Sequence, residues 1–136
     1  MLRIEKKHAD EMVAHSMQET PNECCGILTG NDQVAQGLYR ITNTASSPYR
    51  YLMDPQEFLD ADLDSERKGQ HFVAFYHSHS HSPAYPSKTD VRMALQSGYL
   101  DVHYVLVSLE SEDRPQLRAF RIDEVGGVAE EELAIL

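Results

Sequence analysis

Along the chain, stretches in which apolar residues recur with the period of a helix alternate with stretches that have the pattern of a strand. The helical stretches predict three helices. Residues 4–19 carry the first of these patterns. Asp54 and Pro55 begin a second helix that runs to about residue 68, because Asp is favourable at the N-cap and Pro at the first helical position. A third helix follows Ser87, which precedes a run with helical periodicity.

Short apolar or alternating runs between turn residues predict the strands. The first two flank Gly30-Asn31-Asp32 and are expected to form a hairpin. The predicted strands cover residues 24–29, 34–42, 49–53, 71–79, 102–109 and 117–122. Together with the helices they predict one α/β domain over residues 1–122, in which helices flank a mixed, mostly antiparallel sheet. Residues 123–136 are predicted to be a C-terminal tail, either an edge strand or a mobile end.

Composition narrows the classes of partner. With 136 residues and 41% apolar content, the chain is long enough for one hydrophobic core and too short for two. The 22 acidic and 12 basic residues give a net charge of −10. This balance argues against nucleic acid and against an anionic membrane surface, since both attract clustered Lys and Arg. Solubility explains the acidic excess more simply than a dedicated docking surface does.

The location predicted from the sequence is the cytoplasm. No apolar run approaches the ~18 residues of a membrane-spanning helix, and the first ten residues are too charged for a signal peptide. Cys24 and Cys25 are adjacent, so a disulfide between them would be strained. A reducing compartment suits them, and we expect both to be packed as small apolar side chains rather than to serve as a redox pair or nucleophile.

Two histidines at the end of a predicted buried strand are the first candidate chemistry. His77 and His79 are two residues apart, so their imidazoles lie on the same side of an extended chain. The segment from Ser87 to Asp90 forms a capping-box pattern, and the turn before it can return Asp90 to the histidines. Two imidazoles and one carboxylate, with a fourth position open for water, are the ligands of a catalytic zinc ion.

These residues resemble the JAMM (MPN-plus) metalloprotease signature. The signature consists of His-Ser-His, a gap of seven residues, Ser and, after two more residues, Asp; it falls on His77, Ser78, His79, Ser87 and Asp90. The segment around Glu23, Pro-Asn-Glu-Cys-Cys-Gly, resembles the family segment that carries an upstream glutamate. Two further segments, Met53-Asp54-Pro55 and Tyr-Val-Leu-Val-Ser at 104–108, follow in the family order.

The resemblance implies an MPN fold and a hydrolytic zinc site. It implies that His77, His79 and Asp90 hold one zinc ion per chain. It also implies that Glu23 acts as general acid and base and that Ser87 helps to hold the oxyanion. From the residues alone, helix capping is sufficient to explain both Ser87 and Asp90, and a capping serine can still donate its own hydroxyl proton to another group.

One residue departs from the family pattern and leaves an alternative open. Ser80 stands where the family commonly has proline, and His81 adds a third alternating histidine. Three imidazoles in a row also suggest copper or nickel. The family gap to Asp90 is obtained only from His77 and His79, so we expect His81 at the rim of the cleft.

Within the family, the chain is most similar to the small bacterial CysO-cysteine peptidase type. This implies hydrolysis of the bond after the C-terminal Gly-Gly of a ubiquitin-like sulfur-carrier protein, with release of cysteine or a similar amine. Two other hypotheses stay open: an isopeptidase that removes ubiquitin-like modifiers from lysine, and a non-catalytic metal-binding scaffold. Arg50 and Lys88 are candidate partners for the carboxylate of a leaving amino acid.

Overall fold

A computed structural model describes residues 1–111 and 113–136. Within them the chain forms eight strands and three helices, and the predicted α/β class is confirmed. In chain order the elements are β1 (Leu2–Ile4), α1 (Lys6–Glu19), β2 (Cys25–Asn31), β3 (Val34–Ile41), α2 (Pro55–Arg67), β4 (His71–His79), α3 (Lys88–Ser97), β5 (His103–Ser108), β6 (Gln116–Ile122), β7 (Val128–Glu131) and β8 (Leu133–Ile135). In the described residues, no helix has both the length and the apolar character needed to cross a membrane.

All eight strands belong to one sheet, in the order β7-β6-β5-β4-β2-β3-β1-β8. Strand β1 pairs in parallel with β3 and β8, and β4 with β5; the other four pairings are antiparallel. The sheet is therefore mixed and mostly antiparallel, as predicted. Strand β4 lies near its centre, between β2 and β5, so both of its edges are hydrogen-bonded.

The two ends of the strand order come together in space. Strand β7 pairs with β6 at one end and β8 pairs with β1 at the other, yet only Glu132 separates β7 from β8. The carbonyl of Glu132 also accepts a hydrogen bond from the Leu2 N–H at 3.0 Å. The sheet must therefore curl toward a closed barrel. Residues 128–135, part of the predicted tail, make this closure.

Helices cover the sheet on both faces, and each face has its own apolar core. Helix α1 packs on β3, β4 and β5, over a cluster that includes Met12, Leu28 and Val105. Helix α2 packs on the opposite face, over a cluster that includes Phe75 and Tyr104. Side chains of this size contribute about 1.5–3 kcal/mol each when fully buried, so the two clusters hold β4 rigidly between them.

Local signals set the ends of α2 and α3 as predicted. Asp54 caps α2, because its side chain accepts the backbone N–H groups of the first turn, and Pro55 is the first helical residue. Ser87 caps α3 with a complete capping box. Gly98 ends that helix in the left-handed region at φ 77°, where a side chain would be strained.

Three predictions of local structure are wrong. The first helix begins at Lys6 rather than at Ile4, because Ile4 belongs to strand β1, which pairs with β3 and β8. Residues 49–53 form a loop with only an isolated bridge between Asn43 and Met53, because side-chain hydrogen bonds replace the strand ladder there. The predicted hairpin forms, but its turn falls on Asp32 and Gln33, which both have positive φ, and β2 continues through Gly30 and Asn31, two of the expected turn residues.

Candidate metal centre

The two candidate histidines lie at the C-terminal end of β4. Alternation along the strand places His77 and His79 on the same face as Phe75, toward α2 and α3. Their ring centroids are 5.1 Å apart. His77 is 1% and His79 is 6% exposed, so both rings are buried at the end of a central strand. The prediction that the two imidazoles face one point agrees with this arrangement.

The capping box of α3 holds the third candidate ligand. Ser87 Oγ accepts the Asp90 N–H at 3.0 Å, and the Ser87 N–H donates to Asp90 Oδ2 at 2.9 Å. The same Oδ2 lies 3.1 Å from His77 Nε2 and 3.0 Å from His79 Nε2. Capping and metal ligation are therefore compatible, because the cap fixes the carboxylate in front of both rings.

His79 is oriented by the turn that follows β4. Its Nδ1–H donates to the Pro83 carbonyl at 2.9 Å. A backbone carbonyl only accepts, so Nδ1 carries the proton and Nε2 is the nitrogen that faces Asp90. A second hydrogen bond of this kind commonly fixes the tautomer of a metal-ligating histidine.

The donor atoms fit a metal ion. One ligand atom each from His77, His79 and Asp90 lies within 4.8 Å of the others, and zinc ligands at ~2 Å from the ion are about 3.3 Å apart. In the described residues, five buried side-chain atoms have no hydrogen-bond partner, and four of them belong to this region: Glu23 Oε1, His77 Nδ1, His77 Nε2 and Asp90 Oδ1. His77 Nε2 is close to Asp90 Oδ2 without the alignment of a hydrogen bond. Unpaired buried polar atoms are costly, and a cation among them would offset that cost.

Glu23 lies two residues before the neighbouring strand β2 and approaches the centre from there. The β2–β4 register pairs Cys25 with His77, and continuing it places Glu23 alongside His79. The Ser78 N–H donates to the Cys24 carbonyl at 3.2 Å, which extends the pairing in that direction. The side chain is only 3% exposed. Sequence spacing alone gave no reason to select this glutamate among 22 acidic residues.

Burial and the neighbouring charges perturb the three acidic and basic groups differently. Burial raises the pKa of Glu23 to about 7, although His77 opposes this shift. Burial would also raise the pKa of Asp90, but His77 and His79 hold it well below its ordinary value. Burial would lower the pKa of His79, but Asp90 and the Pro83 carbonyl raise it overall. The site thus contains one carboxyl kept ionised and one that titrates near neutral pH.

An aromatic side chain that the sequence did not indicate completes the site. The ring of Tyr51 lies against the ring of His77, with 4.6 Å between centroids and a tilt of 30°. Tyr51 belongs to the loop between β3 and α2 and also lines an apolar cavity with Phe58 and Phe75. An aromatic residue in a segment predicted to be a strand gave no sign of this contact.

The other candidate residues lie outside the cluster. His81 is exposed on the turn after β4 and is not among the three grouped donor residues. Arg50 and Lys88 are both exposed, next in sequence to Tyr51 and Ser87 respectively. The two cysteines are buried and free, and burial raises the pKa of each thiol. They have the character expected of packed side chains.

Comparison with known protein families shows which family the chain belongs to. Residues 5–123 match the family described as prokaryotic homologs of the JAB domain. The chain belongs to the prokaryotic JAB family. The match includes every residue of the candidate metal centre, and the predicted resemblance to the JAMM family is confirmed.

Individual JAB relatives agree with this assignment. The chain is 37% identical to the CysO-cysteine peptidase of Mycobacterium tuberculosis over 138 aligned residues, which covers all of this chain and 92% of the relative. It is 35% identical to a probable TtuB-protein conjugate cleaving protease of Thermus thermophilus, over 69% of this chain and 64% of the relative. These names confirm the prediction of a JAMM-type peptidase.

Solved structures share the fold. A protein from Desulfitobacterium hafniense superposes with a TM-score of 0.87 at 34% identity, covering all of this chain and 93% of the other. A JAB1/MPN domain protein from Archaeoglobus fulgidus gives a TM-score of 0.65 at 15% identity, covering 99% of this chain and 97% of the other. The second likeness concerns the fold alone, and it confirms the predicted MPN-type architecture.

Proposed function

We propose that this JAB protein is a zinc-dependent peptidase that hydrolyses the bond after the C-terminal Gly-Gly of a ubiquitin-like sulfur-carrier protein, releasing cysteine or a similar amine. The observation that carries the proposal is the cluster of His77, His79 and Asp90 at one buried end of β4, with the buried Glu23 alongside it in the β2–β4 register. The full-length similarity to a CysO-cysteine peptidase supports the choice of substrate. The buried free cysteines support a cytoplasmic location.

In this proposal His77, His79 and Asp90 hold one zinc ion. Neutral imidazole nitrogen and carboxylate oxygen are ligands that zinc accepts, and three protein ligands leave one position for water or substrate. A bound zinc ion would polarise the scissile carbonyl and make water acidic enough to attack at neutral pH. The contact between Tyr51 and His77 would keep the His77 ring in place.

Glu23 and Ser87 would handle the proton and the developing charge. Glu23 has a pKa raised by burial to about 7, which suits a group that accepts a proton from water and returns it to the leaving amine. Ser87 Oγ already accepts a hydrogen bond from the Asp90 N–H, so its own O–H can donate to the oxyanion of the substrate.

The burial of the centre favours a glycine tail as substrate. Glu23, His77, His79 and Asp90 are each at most 6% exposed. A substrate chain must therefore enter a narrow space to bring its carbonyl to them. Glycine has no side chain to clash with the walls, so an extended Gly-Gly terminus is well suited to this approach.

Isopeptide cleavage is the second candidate function. The apolar cavity beyond Tyr51, which Phe58, Phe75 and Tyr104 also line, could pack the methylene stem of a lysine. The similarity to a TtuB-protein conjugate cleaving protease points the same way. Release of cysteine instead requires a partner for a free carboxylate, and the exposed Arg50 and Lys88 are the candidates.

A direct comparison of substrates tests the proposal. The zinc-loaded protein is incubated with a carrier ending in Gly-Gly-Cys and with the same carrier joined to a lysine side chain, and the products are followed by mass spectrometry. We expect faster release of cysteine. Faster cleavage of the lysine conjugate would assign the isopeptidase function. Cleavage of neither, with zinc bound, would favour a metal-binding scaffold. Glu23→Gln is the matched control, because it should retain zinc and lose turnover.

A further inference from the structure

We propose that Asn43 is a positioning residue that fixes the backbone of Glu23 and thereby places its carboxyl for proton transfer. This inference rests on the proposed function, because it assumes that Glu23 moves the proton.

The backbone of Glu23 is held on both sides by one loop. Its N–H donates to the Ser47 carbonyl at 2.9 Å. Its carbonyl accepts from Asn43 Nδ2 at 2.9 Å. Both partners belong to the segment between β3 and α2, so this loop determines where Glu23 begins its approach to the histidines. The carboxyl has no comparable anchor at Oε1, which is buried without a partner.

Asn43 uses its amide fully. Nδ2 also donates to the Arg50 carbonyl at 3.1 Å, and Oδ1 accepts the N–H groups of Ala45 and Leu52, each at 3.0 Å. The amide nitrogen of Asn43 therefore joins Glu23 to the loop, whereas its amide oxygen accepts two hydrogen bonds from within the loop. A half-buried amide with both donors and both acceptors paired has one well-defined orientation.

The same amide connects Glu23 with the side chain that packs on a candidate ligand. Arg50 and Leu52, which it holds, are the residues on either side of Tyr51. The Tyr51 ring lies against His77. Asn43 thus sets the spacing between the segment before β2, which carries Glu23, and the loop that supports His77. A misplacement of about 1 Å in such a geometry can cost 10²-fold in rate.

Two substitutions separate the donor half from the acceptor half. Asn43→Asp keeps an oxygen for Ala45 and Leu52 but places a second oxygen against the Glu23 carbonyl. Asn43→Ala removes both halves. Thr44→Ala is the matched control, because Thr44 Oγ1 donates to the Leu52 carbonyl at 3.1 Å in the same loop, away from Glu23. All variants are assayed with zinc, below the lowest melting temperature of the set.

We expect both Asn43 variants to keep zinc content and KM, and to lower kcat by about 10–100-fold. Thr44→Ala should change kcat by no more than about twofold. The deciding measurement is the double variant. In a Glu23→Gln background, Asn43→Asp should lower kcat no further, because the group that it positions is already inactive.

Several outcomes would overturn the inference. One is a kcat of the double variant that is lower than that of Glu23→Gln by the same factor as Asn43→Asp shows alone. A second is full activity of Asn43→Asp while Asn43→Ala loses activity. A third is a change in KM without a change in kcat in the Asn43 variants. Failure of both Asn43 variants to fold would also overturn it, because the amide would then serve folding. If instead the zinc-loaded wild type cleaves neither carrier substrate, the proposed function itself is wrong, and if the wild type and Glu23→Gln cleave equally fast, Glu23 is not the group that moves the proton. Both results are read from different samples and are distinct from a failure at Asn43.

Discussion

Replacing Glu23 by Gln should make the metal-free protein more stable at alkaline pH while it abolishes turnover. Burial raises the pKa of Glu23 to about 7 from an ordinary value of 4.5. The folded protein therefore binds the carboxyl proton more tightly than the unfolded chain does. The contribution of Glu23 to the free energy of unfolding is therefore fully present below pH 4.5, and it is lost as the pH rises through about 7.

The size of the effect follows from the shift. Each pKa unit corresponds to about 1.4 kcal/mol, so ionising Glu23 in the folded metal-free protein costs up to about 3 kcal/mol above pH 8. Glutamine has nearly the same shape as the protonated carboxyl and never ionises. The variant should therefore match the wild type at pH 4.5 and exceed its free energy of unfolding by up to about 3 kcal/mol at pH 8.

Urea denaturation after removal of metal with a chelator measures this difference at both pH values. All other titrating groups are present in both proteins, so the difference in stability reports the loss of the Glu23 carboxyl together with its effect on the pKa of His79. Activity measured after reloading zinc should fall by at least ~10². A variant that is less stable than the wild type at pH 8 would refute the reasoning, because Glu23 would then be stabilised as the anion. Such a result would identify a favourable partner for the ionised carboxylate.

The remaining predictions concern the ligands, the cap and the core. Asp90→Ala should lose most bound zinc by elemental analysis and nearly all turnover, whereas His81→Ala should keep both; the reverse result would reassign the ligands. Ser87→Ala should keep zinc, lose about 10²-fold in kcat and lose about 1 kcal/mol of stability with its cap; unchanged kcat would remove it from the mechanism. Tyr76→Phe should cost about 1–3 kcal/mol in urea denaturation, because the buried His15 Nδ1, 2.8 Å from the hydroxyl, loses its partner; an unchanged free energy of unfolding would contradict this.

The parts of the site that the sequence predicted are those with local signals. The alternation of His77 and His79 on a strand and the capping box from Ser87 to Asp90 each depend on neighbours within a few residues. Their meeting in space needed only the turn between them. Glu23 lies far from these residues along the chain, and its inclusion depended on the family resemblance, because it carries no local mark that separates it from other acidic residues.

The features that the sequence did not predict depend on distant partners. Strand β1 is three residues long and exists because β3 and β8 flank it. The loop at 49–53 has the apolar and aromatic composition of a strand, but Asn43 satisfies its backbone and Tyr51 packs on His77. Neither the strand β1 nor the loop at 49–53 can be predicted from the residues adjacent to it in sequence.

The pairing of β1 with β8 also limits when the sheet can be completed during synthesis of the chain. Strand β1 precedes the other seven strands along the chain, whereas one of its two partners, β8, follows them, so β1 is synthesised before β8. Until residues 133–135 have been synthesised, the edge of β1 that faces away from β3 has no partner. Such an open edge can pair with another chain. Contacts between such distant segments form late, since a long loop must close first. The nascent chain would therefore benefit from protection of that edge until β8 has been added.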